Sequence, residues 1–289
     1  MADALVADAS PRRAEGPAIV GALVAFAIAL LSFFAMLPIV WMVLSAFKSN
    51  AEILSPDRSV LPRVWTLGGF DELFQFSAMG RYVLNSLVVA GGIAVVQTVT
   101  ASLAAYAFAR IPFRGSGLLF AVFLMTLMVP PQVTLIPQFI IASRLGWVDT
   151  YHGLIIPQAF TAFGVFLLRQ FFLGIPAELE DAARIDGAGR LRVFTAIVVP
   201  LSGPAIATLL MFAFLAHWNA LLWPLVMSTT DATRTVVLGL RDFQGQYFTN
   251  WHALMAGSIV ATLPTIAVYL LAQRWFTEGV VLSSGLGGR

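Results

Sequence analysis

Apolar residues in this chain do not alternate with polar ones but gather in long runs. Six stand out: Ile19–Ala46, Tyr82–Ala109, Gly117–Ile141, Gly153–Leu168, Pro204–Met227 and His252–Ala272. The fourth is short, and extends to Phe172 if it continues past Arg169. A bilayer core about 30 Å thick takes roughly 20 helical residues, so each run predicts a spanning helix. The alternating strands of an outer-membrane barrel would leave a different pattern. The expected fold is therefore an all-α integral membrane protein with six transmembrane helices. It divides into a tail over 1–18, a single transmembrane domain over 19–276 and a tail over 277–289. The spans fall at about 19–46, 82–109, 117–141, 153–172, 204–227 and 252–272, with a polar loop over 174–203 between the fourth and fifth.

The runs are punctuated. Pro38, Pro130, Pro131, Pro137, Pro157, Pro224 and Pro264 fall within them, and Gly91-Gly92 interrupts the second. Proline removes a backbone donor and kinks a helix, and in lipid the freed carbonyls must find partners inside the protein. Membrane helices also tolerate proline and glycine for ordinary packing reasons. The pattern thus fits either plain packing or a bundle that bends around a pathway.

Composition agrees with the runs. Of 289 residues, 59% are hydrophobic and 11% charged, against roughly 25% charged in a soluble domain. The net charge of +2 is small and the basic residues form no cluster, which argues against a nucleic-acid surface. There is no cysteine, so disulfides, thiol catalysis and Cys-ligated metals are excluded. His152, His217 and His252 are far apart in sequence, and no metal site is expected. Arg12 and Arg13 precede the first run, but that run is too long for a cleaved signal peptide. With the N-terminus inside, most of the 17 basic residues fall on the inner side, as the positive-inside rule prefers.

Most of the unusual polarity lies in Ile175–Pro204. Pro176 suits a helix start, where its missing N–H costs nothing. Glu178, Glu180 and Asp181 follow in the first turn, where acids complement the dipole. Leu179, Ala182, Ala183 and Asp186 share one face. Gly187 sits where a helix ends in the left-handed conformation. A second short helix follows, with Leu191, Phe194 and Val198 on its apolar side. Taken alone, the segment fits an amphipathic connector on the membrane surface as well as a small-faced helix presented to a partner.

The order of its residues resembles the EAA motif of permeases from binding-protein-dependent ABC importers. That pattern reads E-A-A, three residues, G, nine residues, I-x-L-P. Here stand Asp181-Ala182-Ala183, Gly187 and Ile197-Val198-Val199-Pro200, with every spacing kept. Asp181 replaces Glu and Val199 replaces Leu. The run from Glu178 to Ala188 is similar to the carbohydrate branch, the maltose-type permeases. Leu37-Pro38 to Lys48, Asn85-Ser86, Tyr106–Arg110, Pro130-Pro131-Gln132, Ile136-Pro137, Trp218-Asn219 and Trp223-Pro224-Leu225 resemble further family positions in order. Ala220 stands where an acidic residue is common.

The resemblance implies a cytoplasmic coupling helix that docks on a separate ATPase, with Glu178, Leu179, Glu180, Asp181, Ala182, Ala183, Asp186 and Gly187 as the coupling residues. It implies a second homologous permease, two ATP-binding cassette ATPases and an extracytoplasmic sugar-binding protein as partners, with the lipid bilayer around them. It also implies a carbohydrate or related polyol as substrate, carried by alternating access. Both termini would be cytoplasmic, in the bacterial inner membrane. No G-x-x-x-x-G-K-[ST] phosphate loop occurs, so the chain is expected not to be an enzyme. ATP and Mg are expected in the partner ATPase and no cofactor in this chain.

Polar residues within spans usually face the interior, and Asn85, Gln132, His217, Trp218 and Asn219 are the candidate pathway residues. Amides and imidazole beside indole suit a sugar's hydroxyl rim and apolar faces, although inter-helix hydrogen bonding explains single residues equally well. An ion-coupled secondary transporter is the main alternative. It would want intramembrane charges, and no Asp, Glu, Lys or Arg lies within the six runs when the fourth ends at Leu168. A membrane enzyme would need an acid–base or metal constellation. Asp149, Tyr151 and His152 come nearest and read as a loop.

Overall fold

The computed structural model describes the backbone of residues 16–57, 59–245 and 248–285, with side chains within 20–273. Residues 1–15 of the expected N-terminal tail and 286–289 of the C-terminal one lie outside these. α1 (Gly16–Ala46) is an unbroken apolar rod despite Pro38. One turn, α2 (Asn50–Ile53), is capped by the Ser49 hydroxyl, and α3 (Gly68–Phe76) leads to a second rod, α4 (Met79–Arg110). α5 (Ser116–Met125) is followed by a 3₁₀ turn and by α6 (Pro131–Arg144). α7 (Tyr151–Ile155) passes through a 3₁₀ turn at Pro157 to α8 (Ala162–Leu173). The polar connection holds α9 (Ala177–Ile185), α10 (Arg190–Val193), a π-helical turn over Phe194–Val198, and α11 (Val199–Leu201). α12 (Gly203–Trp218), α13 (Leu222–Met227) and α14 (Val236–Leu240) then lead to α15 (Trp251–Gly285), which carries Pro264 without a break. No strand forms among the described residues.

Three helices are long and apolar enough to cross a membrane alone, and three bent pairs bring the total to six. The run Gly117–Ile141 is not one rod: α6 leaves the α5 direction at 98°. Neither Pro130 nor Pro131 can donate, and the residue before a proline is pushed out of the helical region. Val129 is accordingly extended, at φ −83°, ψ 115°. The fourth run bends by 50° between Gln158 and Ala162, and α12 turns 79° away from the run ending at Leu201. Pro204–Met227 is also divided, stopping at Trp218 and resuming at Leu222. There the Asn219 side-chain amide folds back on the Leu215 carbonyl (2.8 Å). The π turn has its own cause. Pro200 has no N–H to return to Ala196, and the Val199 N–H reaches back to the Phe194 carbonyl instead.

α4 is the centre of the bundle, packed against α8 and α12. Lipid offers no hydrophobic drive between helices, so close packing and hydrogen bonds must hold them. Small residues supply the closeness: Ala90, Ala94, Ala101 and Ala105 of α4 are all buried. Gly164 lets α8 approach α4 and α12, since a Cβ there would lie 3.1 Å from both Ala101 Cβ and Leu209 Cδ1. Ala101, Tyr106, Leu168, Phe172, Phe194 and Leu209 form the core at the end nearest α9. Leu73, Tyr82, Phe214, Trp218 and Val236 lie in the core at the opposite end. α1 is different. None of its most apolar window is buried, and its mean hydropathy there is 2.6. It packs only along α15 among its larger contacts and leaves the rest of its surface to lipid or a partner.

Candidate functional site

The polar connection folds as a short helix held at its inner side and open at its outer side. α9 begins after Pro176 and ends at Gly187, whose φ is +84°. The Ala188 N–H reaches the Ala183 carbonyl (2.9 Å) and the Gly187 N–H the Arg184 carbonyl (3.0 Å). This is the paired closure that a left-handed glycine permits. Glu180 faces inward and is 2% exposed. Its Oε1 lies 2.8 Å from Arg110 Nε, its Oε2 3.6 Å from Arg184 Nη2, and the Tyr106 hydroxyl donates to Oε2 at 3.4 Å. Glu178, Leu179, Asp181, Ala182 and Asp186 are exposed, and Ala183 is half-buried. The apolar outer surface also includes Ile185, 86% exposed, and Leu191, 70% exposed. Leu191 thus does not join Phe194 and Val198 inside; Val193 takes that place.

A second polar group runs through the middle of the bundle. The Gln97 amide donates to the Gln158 carbonyl (2.6 Å) and lies 3.2 Å from His217 Nε2. An amide N–H only donates, so the imidazole accepts at Nε2 and keeps its proton on Nδ1. Gln158 in turn donates to Gln138 Oε1 (3.4 Å). Beside this line a cavity of about 250 Å³ opens among Gln97, Thr161, Phe163, Phe212, Ala216 and His217. It sits at the 159–161 break of the fourth span, so amide, hydroxyl and imidazole share one opening with two phenyl rings, and no charged side chain lines it.

The expected pathway residues separate. His217 reaches this cavity. Asn219, two residues on, is exposed, and Gln132 is exposed beside the 98° bend. Trp218 points the other way. It is 1% exposed, stacks on Phe214 at 5.5 Å and donates to the Ala261 carbonyl (3.0 Å). Asn85 is also buried, donating to the Arg234 carbonyl (2.8 Å) and accepting from the Tyr151 hydroxyl (2.6 Å). It fastens the 228–235 loop to α4, together with Tyr82, whose hydroxyl donates to Asp231 (2.7 Å). Trp223 is buried too, donating to the Leu154 carbonyl (3.2 Å).

The same loop is gripped by Asp149. Its backbone is left-handed at φ 60°. Its carboxylate accepts from the Thr230 hydroxyl (2.6 Å), the Thr233 hydroxyl (2.5 Å) and the N–H groups of Thr229 (3.1 Å) and Thr230 (3.2 Å). Burial pushes the carboxyl up, but these bonds outweigh it and hold it at about 2, below the ordinary 3.8. A lowered value stabilises the fold fully above the unfolded pKa and loses that contribution as pH falls through the folded one. Asp149→Ala is therefore expected to lower stability by about 2 kcal/mol at neutral pH. The difference from wild type should stay flat from about pH 5 to 8 and shrink below about pH 4. Thermal unfolding of the two proteins in detergent across pH checks this.

The family model for the binding-protein-dependent transport system inner membrane component matches residues 97–281, most of the chain. The chain belongs to this family. It is 37% identical over 257 residues to the sn-glycerol-3-phosphate transport system permease protein UgpE of Agrobacterium fabrum, covering 84% of this chain and 90% of that one. It is 31% identical over 264 residues to the arabinooligosaccharides transport system permease protein AraQ of Halalkalibacterium halodurans, covering 90% and 94%. A chain of a bacterial ABC transporter involved in the import of the acidic polysaccharide alginate superposes with a TM-score of 0.80 at 22% identity. It covers 92% of this chain and all of that one, a likeness of fold.

This permease is thus an inner-membrane transport component, which favours ABC import over the ion-coupled alternative. Sequence reasoning missed two clusters in it. Arg110 beside Glu180 is one. The other joins His252 Nε2 to Glu72 Oε2 at 3.1 Å, with the Asn250 amide donating to the same oxygen. The Asn250 bond outweighs burial and, with His252, holds the Glu72 carboxyl below its usual value. Glu180 had one local signal, Arg184 four residues on. Glu72 and His252 had none. Among the described residues no three His, Asp or Glu side chains gather as a metal site would need.

Proposed function

We propose that this chain is one of two permeases of an ATP-driven importer for a carbohydrate or related polyol, with α9 as the coupling helix to a separate ATPase. The observation that carries the reading is the outer face of α9. The chain leaves Ile185, Leu179 and Leu191 uncovered at the end of its bundle, an apolar patch of the kind that marks an interaction surface. Ringed by Glu178, Asp181 and Asp186, they suit an apolar groove with a basic rim. In this reading the α9 end is cytoplasmic, as are both termini, and the opposite end receives an extracytoplasmic binding protein. Two ATPase subunits bind ATP and Mg, and a second permease completes the pathway. Substrate passes by alternating access, and the bent spans supply the hinges.

The cavity at Gln97, Thr161 and His217 supports an uncharged substrate. Amide, hydroxyl and imidazole can hydrogen-bond hydroxyls, and Phe163 and Phe212 offer faces for C–H surfaces. A phosphate ester or uronate would call for a cation that this lining lacks. The test is uptake by the whole complex in proteoliposomes, with its binding protein outside and ATP inside. Uptake of a neutral oligosaccharide or polyol that needs ATP is expected. Uptake driven by an ion gradient without ATP would overturn the permease reading. ATP-driven uptake of sn-glycerol 3-phosphate alone would overturn only the neutral-substrate part.

A further inference from the structure

Arg110 is the last residue of α4, yet its side chain serves three elements. Its Nε meets Glu180 of α9 at 2.8 Å. Its Nη2 donates to the Phe172 carbonyl at the end of α8 (2.7 Å) and to the Ile175 carbonyl in the turn before α9. The carbonyls at a helix C-terminus lack intrahelical donors, and a guanidinium satisfies them while opposing the negative end of the dipole. Its planar fork lets one group do this and bind a carboxylate at once. Glu180 receives the Tyr106 hydroxyl as well, from one turn earlier on α4. The Arg110 side chain is 13% exposed and that of Glu180 3%, so water does not compete for either.

Beneath the pair lies an apolar floor. Tyr106 packs on Phe194 at 5.1 Å, and Phe172, Ile175 and Val198 join them in the same core. Elsewhere α9 makes few contacts with the bundle, and its remaining acids and aliphatics face outward. The residues that tie α9 to the spans are therefore concentrated at one buried ion pair.

We propose that Arg110 and Glu180 weld α9 to the end of α4, so that the coupling helix and the central span move as one body. The proposal rests on the coupling reading above and adds the route by which a push on α9 reaches the pathway. α4 also carries Gln97, about three and a half turns up, in the wall of the central cavity. A displacement of α9 thus arrives at the cavity through the continuous helix α4 rather than through the 186–189 turn. Arg110 and Glu180 are positioning residues, acting on transport through α4. The pair also changes the role of Glu180, which holds the coupling helix from behind while its neighbours meet the partner.

The test uses the whole importer in membranes, comparing variants at matched abundance and matched co-purification with the ATPase. Glu180→Gln keeps the shape and removes the charge. It is expected to lower solute moved per ATP hydrolysed by about tenfold, with hydrolysis itself within about twofold of wild type. Arg110→Gln should do the same, and the double variant should be no worse than the worse single, the mark of two groups acting as a unit. A second measurement needs no stable variant of the pair. The chain has no cysteine, so spin labels at L103C and A177C, both exposed sites, report the α4–α9 distance directly. That distance should be the same with and without ATP. An unchanged transport ratio in Glu180→Gln, additive single effects, or a label distance that shifts with ATP in the otherwise unaltered chain would each overturn the weld. Absence of any ATP-driven uptake by the wild-type complex would instead overturn the coupling reading beneath it.

Discussion

Gly153→Ala is expected to keep this permease from accumulating in the membrane. Gly153 is the third residue of α7, and its N–H donates to the Thr150 hydroxyl that caps the helix (3.1 Å). A Cβ there would lie 2.1 Å from the Trp147 carbonyl oxygen and 2.8 Å from Met227 Cε. The methionine can swing aside, but the carbonyl cannot. It accepts from the Thr150 hydroxyl (2.6 Å), and the Trp147 N–H is itself fixed to the Ala142 carbonyl (2.9 Å). The turn between them already holds left-handed residues at Gly146 and Asp149, and the Asp149 N–H is fixed to the Met227 carbonyl (2.7 Å). A single methyl must therefore move backbone that is anchored on every side. Overpacking of this kind costs about 3 kcal/mol or more, and valine should be worse. Gly117→Ala is the matched control, since nothing lies within 4 Å of a Cβ there, and it should be neutral or slightly stabilising. Fluorescence size-exclusion of tagged variants, with melting points, reads both. A Gly153→Ala protein that accumulates and melts like wild type would show that this turn is not packed as described.

That turn also marks where the sequence stops being readable. The spans were legible because lipid imposes a length and an apolar composition, which a run displays without reference to any other residue. The breaks were partly legible, because proline acts locally. Pro130-Pro131 signalled a bend, but its 98° angle depends on what α6 packs against. Pro38 and Pro264 gave the same signal and sit in unbroken helices. Facing was the hardest property. In α12 nearly every residue is apolar, so periodicity does not separate the side toward protein from the side toward lipid. Trp218 and His217 are adjacent on that helix, and only the fold sends one to the core and the other to the cavity.

The polar connection around α9 shows both sides of this. Gly187 and the spacing around it were readable, because a left-handed helix end is a local need. The inward turn of Glu180 was not, because its partner Arg110 lies about seventy residues earlier, at the end of another span. The alternation of six spans does place both residues on one side of the membrane, which was the clue available. Asn85 follows the same logic. As a lone amide in an apolar run it suggested a pathway residue, whereas its partners sit in the loop at Asp231 and Arg234.

Gly187→Leu is expected to cut transport sharply while leaving the protein intact, which separates it from Gly153. Nothing lies within 4 Å of a Cβ at Gly187, so no clash opposes the larger side chain. The cost within the chain is the left-handed backbone at φ +84°, about 1–2 kcal/mol for a residue with a Cβ. The buried grip of Arg110 on Glu180 lies seven residues earlier, and no atom of it comes within 4 Å of the new Cβ. What changes is the outer surface. A leucine beside Ile185 and Leu191 would project where the reading places the ATPase groove, and interfaces concentrate their energy in a few such positions. ATP-driven uptake should fall by about tenfold or more at normal abundance. Gly115→Leu supplies the control, because Gly115 is also left-handed, at φ +80°, also has open space around it, and lies outside α9. It carries the same backbone strain without touching the outer face of α9, and its uptake should stay near wild type. Equal losses in the two variants would assign the effect to strain, and normal uptake by Gly187→Leu would take the outer face of α9 out of the transport cycle.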